Sequence, residues 1–212
     1  MDLLQRNPFT TIKANDLNDT EINEQWVDAH GGFYDFFLPN NKVSQYLLGG
    51  KGSGKTHLMR YFSYNSQMLR NHKDVIGGIE RDGYFAIYFQ ASGLNGDRFE
   101  QLPFDLAQRN VLFEYSFELL CAGLIIQALL DLQNDKVIVN DEMEFCNSVL
   151  SLFSVKPDFE VNDLSGLKLM LKELSHKIDY AISNAYFTKE FNVEILAARG
   201  SLIFGIPELL EN

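Results

Sequence analysis

The stretch YLLGGKGSGKTHLMRYF, Tyr46 to Phe62, decides how the fold is read. Within it GGKGSGKT satisfies the spacing G-x-x-x-x-G-K-[ST]. Glycines allow a backbone to wrap closely and to take positive φ, so that successive N–H groups converge on phosphate oxygens. A helix starting directly after the loop adds unpaired N–H donors and the positive end of its dipole. The predicted loop therefore comprises Gly49, Gly50, Lys51, Gly52, Ser53, Gly54, Lys55 and Thr56. Lys55 is expected on the β- and γ-phosphates of a nucleotide, and the Thr56 hydroxyl on magnesium. Lys51 would brace phosphate, and His57 reads as a helix-surface residue. A Gly-rich surface turn is the plain alternative, but chance would produce this spacing on the order of once in a hundred sequences of this length.

The flanks extend the reading outward. VSQYLL, Val43 to Leu48, has the composition of a strand buried on both faces of a parallel sheet, and Leu58, Tyr61, Phe62, Met68 and Leu69 recur at helical spacing. YFAIYFQ, Tyr84 to Gln90, predicts a second strand after the breaker Asp82-Gly83, and SLIFGI, Ser201 to Ile206, a third one stopped by Pro207. Between Thr20 and Leu38 a helix is expected, interrupted at Gly31-Gly32. Residues 110–190 read as a large helical insertion within one nucleotide-binding domain spanning 1–212. Val111 to Leu132 is apolar on nearly every face, as in a core helix. Leu164, Leu167, Leu171, Leu174, Ile178, Ala181 and Ala185 form a narrow stripe, expected to pair with the segment from Glu142 to Phe153. The expected fold class is α/β, a P-loop parallel sheet with inserted helices.

The 212 residues are 46% apolar and carry a net charge of −11, which suits a globular core and disfavours broad binding to nucleic acid or anionic lipid. Cys121 and Cys146 have neither disulfide-framework nor metal-ligand spacing and read as reduced packing residues. The start MDLLQRNPFTT lacks the plan of a secretory signal, and the apolar run Leu119 to Leu130 is shorter than the roughly 18 residues that suggest a membrane span. A cytoplasmic location is the expectation.

NPFTTIKANDL, EINEQWV and YLLGGKGSGKTHLMRYFSY together resemble bacterial P-loop ATPases of the AAA-like, ORC/CDC6-related group, over roughly the first 120 residues. The resemblance implies an ASCE-type sheet, ATP with Mg2+ as cofactors, hydrolysis coupled to conformational change, and assembly into homo-oligomers. It places Lys55 on phosphate, Thr56 on magnesium, and Asn7 to Phe9 near adenine. Such ATPases also use a strand ending in an acidic pair, and the local match is Val137-Ile138-Val139-Asn140-Asp141-Glu142. The reading preferred for Asp141 and Glu142 is a helix start, because the apolar run has only three residues and Asn140 breaks it. Open sheets usually have about five or six strands, so three candidates suggest an N-terminal piece of a longer ATPase. No arginine finger is assigned among Arg60, Arg70, Arg81, Arg98, Arg109 and Arg199. Two functional classes stay open: an ATPase motor or switch module completed by further acidic and arginine groups, and a nucleotide-binding regulatory module that takes a protein partner on its helices without turnover.

Overall fold

Asn18-Asp19-Thr20-Glu21 carries the residues of a capping box, and the box forms. The Asn18 side chain accepts from the Glu21 amide, and the Glu21 carboxylate accepts from the Asn18 amide, both at 2.9 Å. Two donors orphaned at a helix start are satisfied reciprocally. The computed structural model describes residues 13–27, 43–134, 141–188 and 193–211. The chain falls into two compact units, Met1–Tyr88 and Phe89–Asn212.

In the first unit a 3-10 turn, Ala14–Asp16, precedes α1 (Asp19–Glu24), followed by α2 (Lys55–Tyr61), α3 (Tyr64–Arg70) and α4 (Val75–Asp82). Asp74 caps α4 by accepting from the Gly77 amide at 3.0 Å. Gly83 ends it with φ 70°, a left-handed conformation that glycine takes without strain, so Asp82-Gly83 is the expected breaker. Leu58, Phe62 and Tyr84 form one buried cluster, with Trp26, Leu47, Tyr61 and Ala86 packed around them. The helix expected from Thr20 to Leu38 ends at Glu24, and Gly31, Gly32 and Pro39 lie outside the described residues.

The second unit holds a 3-10 turn at Ala91–Leu94 and then α5 (Asp97–Glu100), α6 (Leu106–Asn134), α7 (Glu142–Ser151), α8 (Leu164–Thr188) and α9 (Ser201–Glu211). The α8 stripe is buried at Leu164, Leu167 and Ala185 with 0% exposure and at Leu171 and Ile178 with 1%, but Ala181 is half-buried and Ile182 beside it is buried instead. Its principal partner is α6 rather than the expected Glu142–Phe153 segment, which meets α8 only in part and also packs on α9. The reason lies in α6, whose Ala122, Ile126 and Ala128 are all at 0% exposure and let neighbours approach closely on several sides. This helix is longer than the apolar run that marks it. Its span Leu106–Gln133 is long and apolar enough to cross a membrane by length and composition, and 44% of its most apolar window is buried within the protein.

The α/β parallel sheet is corrected by the structure. All regular structure among the described residues is helical, with no strand. Each expected strand fails for its own reason. Val43, Tyr46 and Leu48 are 68%, 87% and 88% exposed, whereas a strand inside a parallel sheet is covered on both faces. The segment from Tyr84 to Gln90 lacks regular structure, and two of its carbonyls are bonded off any ladder. The Tyr64 amide donates to Ala86 O at 2.7 Å, and Gln67 Nε2 to Tyr84 O at 3.1 Å. Ser201 to Ile206 is the first half of α9, which runs on through Pro207. Leu202 and Ile206 share the buried face at 0% exposure while Phe204 is 66% exposed, a four-residue repeat where a strand would align all three.

Candidate functional site

The loop begins where Leu47 tucks into the first unit's core and Leu48 turns out to solvent. Ser53 N donates to Gly50 O at 3.3 Å, closing a turn, and Leu58 N donates to Gly54 O at 2.9 Å, opening α2. Gly52 and Gly54 both have φ 84°, so a side chain at either would be strained although nothing lies within 4 Å of its Cβ. At Gly49 the constraint is space: a Cβ there would stand 2.6 Å from Ser53 Oγ, which would have to rotate away. Lys55 folds back into this turn. Its ammonium donates to Gly49 O at 2.7 Å, Gly50 O at 2.8 Å and Ser53 Oγ at 3.3 Å. The eight predicted residues thus form one continuous loop, with Lys55 and Thr56 half-buried at the start of α2 and Lys51 exposed.

The local charge runs against that of the chain. No acidic residue occurs between Asp35 and Asp74, a stretch that carries Lys42, Lys51, Lys55, Arg60, Arg70 and Lys73. Arg60 and Arg70 are paired with Asp19 and Asp82, so the positive charges of the loop itself are Lys51 and Lys55, in a protein of net charge −11. Among the described residues no cluster of His, Cys, Asp and Glu could hold a metal ion. A lone threonine hydroxyl fits magnesium only together with phosphate, which is how this ion is commonly held: it keeps several waters and takes its other ligands from the substrate.

Behind the loop, α2 rests on the N-terminal segment. His57 is not the surface residue expected. Its Nε2 lies 2.9 Å from Ile22 O, and because a carbonyl only accepts, Nε2 carries the proton. Arg60, with 13% of its side chain exposed, donates to Ala14 O at 2.7 Å and Leu17 O at 2.6 Å and pairs with Asp19 at 2.5 Å. Tyr61 stacks on Trp26 with centroids 3.9 Å apart and planes 9° apart. Arg70 lies 4.1 Å over the other aromatic partner's ring, Tyr61, and donates to Tyr61 O at 2.6 Å.

The family model described as ORC-CDC6-like matches residues 7–212. The chain belongs to the ORC-CDC6-like family. Membership supports a nucleotide-binding, ATPase-related module in general. No curated protein and no solved structure matches the chain.

In this ORC-CDC6-like chain the acidic pair starts a helix, as its sequence context suggested. Asp141 is the N-cap of α7 and accepts from the Glu144 amide at 2.9 Å. Glu142 accepts from the Leu164 amide at 3.1 Å, capping α8, and also from Gln133 Nε2. Val137 to Val139 and Asn7 to Phe9 lie outside the described residues. The remaining arginines hold structural partners: Arg81 pairs with Asp74 at 3.3 Å, Arg98 with Asp179 at 2.5 Å, Arg199 with Glu114 at 3.2 Å, and Arg109 donates to Glu100 O at 2.6 Å. Both cysteines are free and buried. Burial, then the charge of Glu118, pushes the Cys121 thiol up to about 11. Burial, then Glu142 and Asp163, does the same for Cys146, so both remain protonated at neutral pH.

One polar residue had no signal in its spacing. Glu118, on the apolar helix α6, is only 4% exposed. Its carboxylate accepts from the amides of Leu202 at 3.0 Å and Ile203 at 2.9 Å, and from that of Gly200. Glu118 is one of three acids, with Glu114 and Asp131, in the run from Val111 to Leu132, so the sequence held no signal that marks it as the cap.

Proposed function

We propose that this chain binds Mg-ATP on Gly49–Thr56 and serves as the nucleotide-binding part of an ATPase motor or switch. The observation that carries this reading is the ammonium of Lys55, drawn against Gly49 O and Gly50 O inside a loop whose Gly52 and Gly54 hold positive φ. Neutral carbonyls are weaker acceptors for an ammonium than phosphate oxygens, so a triphosphate offers Lys55 a better set of partners at the same place. The loop amides and the first amides of α2, which have no carbonyl four residues back within the helix, supply uncharged donors. Thr56 would hold magnesium, and Lys51 would brace phosphate from the exposed side. Magnesium, when bound, neutralises charge on the phosphates.

Calorimetry of Mg-ATP binding to the chain and to Lys55→Ala tests the reading. Removing a charged donor costs about 1.5–3 kcal/mol, so affinity should fall by about tenfold to a hundredfold with thermal stability nearly unchanged. Equal affinity in the folded variant would overturn the assignment.

A second reading has its own support. The side chains of Asp141 and Glu142 already accept from helix-start amides, so they are committed to capping rather than to a water or a metal. That commitment favours a nucleotide-binding regulatory or interaction module without significant turnover. Sustained hydrolysis by the purified chain, abolished in Lys55→Ala, overturns the module; turnover that appears only when further acidic and arginine groups are supplied selects the motor, and binding that never leads to turnover selects the module.

A further inference from the structure

We propose that residues 14–26 form a clamp that positions the phosphate loop through His57 and Arg60, and that nucleotide binding tightens this clamp. The inference rests on the nucleotide reading above. Helix α2 has seven residues, too few to hold its own orientation, so the surface it packs on decides where its first turn points. Lys55 and Thr56 belong to that turn. His57 is next in the chain, and Arg60 and Tyr61 follow it at three and four positions, which puts all three side chains on one face.

Among the described residues that face meets the stretch from Ala14 to Trp26, and Arg70 lies over the Tyr61 ring. His57 Nε2–H donates to the carbonyl of Ile22, whose side chain is 0% exposed and therefore a fixed anchor. Arg60 gathers Ala14 O, Leu17 O and the Asp19 carboxylate, all within 2.7 Å. Tyr61 closes the face by stacking on Trp26. Hydrogen bonds to carbonyls are directional, so a shift of residues 14–26 would rotate α2 and displace the Thr56 hydroxyl and the Lys55 ammonium together. Linkage makes the effect mutual: a phosphate that grips the first turn of α2 must stabilise the docked segment by the same factor. His57 and Arg60 are positioning residues here, and neither touches nucleotide in this proposal.

Trp26 is the one tryptophan in the chain, so its emission reports on the clamp alone. Mg-ATP should shift that emission and slow amide hydrogen exchange at residues 14–26 in the native chain, but not in Lys55→Ala. His57→Phe keeps a ring and loses the donor, and should weaken Mg-ATP binding by about tenfold, within the usual range of coupling between sites. His57→Gln, whose amide can still donate to Ile22 O, should recover most of that loss. A purely structural histidine would instead change melting temperature without this split between the two variants. Should His57→Phe fail to fold, Asp19→Asn, whose side chain is 34% exposed, weakens the Arg60 end of the clamp and should lower affinity in the same direction. Mg-ATP binding with unchanged exchange at 14–26, or with full affinity in folded His57→Phe, overturns the clamp and leaves the loop reading standing. No calorimetric binding by the native chain overturns both.

Discussion

The two units hold their helices in place by different means. In the first, α2, α3 and α4 have seven, seven and eight residues, and long polar side chains tie them to carbonyls: Arg60 to Ala14 and Leu17, Arg70 to Tyr61, Gln67 to Tyr84. In the second, α6 and α8 have 29 and 25 residues and meet along a seam made mainly of buried leucine, isoleucine and alanine, with Lys168 donating to Gln127 across the contact. Apolar contact is non-directional and grows with area, while hydrogen bonds fix geometry but contribute only about 0.5–1.5 kcal/mol each. The unit carrying the loop is thus set up for position, and the other for stability.

The sharpest way to break this contrast is to open the seam. Leu171, 1% exposed on α8, should cost about 2–5 kcal/mol when replaced by alanine, through lost burial and the cavity left behind. Chemical denaturation reads that loss. Calorimetry of the same variant should find Mg-ATP affinity unchanged below the transition; a parallel fall would show that the two units are not energetically separate. A smaller effect is expected where α6 meets the start of α9 through a polar side chain. Glu118→Ala removes the acceptor for the Leu202 and Ile203 amides, and leaving such donors unsatisfied costs about 1–3 kcal/mol. Faster hydrogen exchange confined to the start of α9 would sharpen the contrast, whereas exchange spread through α8 would blur it.

How much of this could be read from residues follows from the same physics. The turn at Gly52 and Gly54 was legible, because glycine there answers a backbone need that no other residue meets well. The α8 stripe was legible because a repeat of three and four over 25 residues has one geometric solution. Its partner was not, since nothing in a stripe says which helix will face it, and α6 is apolar on so many sides that it can serve two neighbours. Ser201 to Ile206 was misread because a run of six apolar or small residues fits both periods. What settled it is Glu118, more than eighty positions away, and the deep burial of Leu202 and Ile206 with Phe204 turned outward. Tyr84 to Gln90 has the composition of a strand, but the Tyr64 amide and the Gln67 side chain claim its carbonyls, a long-range competition that local composition does not encode. His57 was placed on a surface because helical spacing locates a face but not what lies against it.

The smallest effect is expected at Asp141, and it separates the capping role from a catalytic one. As N-cap of α7, Asp141 needs only a side-chain oxygen within reach of the Glu144 amide, here 2.9 Å away. Asparagine offers that oxygen and ranks beside aspartate at this position, so the hydrogen bond survives Asp141→Asn. What disappears is a negative charge at the helix start, worth about 0.3–1 kcal/mol in an exposed setting and less in salt. The variant should therefore melt close to the native protein, with the difference shrinking as ionic strength rises. A carboxylate supporting a hydrated magnesium ion would behave otherwise: its loss would weaken Mg-ATP binding while leaving magnesium-free binding intact, and salt would not erase the difference. Titrations of Asp141→Asn with ATP, with and without magnesium, are expected to match those of the native chain, and a selective loss of the magnesium-dependent part would move Asp141 from the helix cap to the nucleotide.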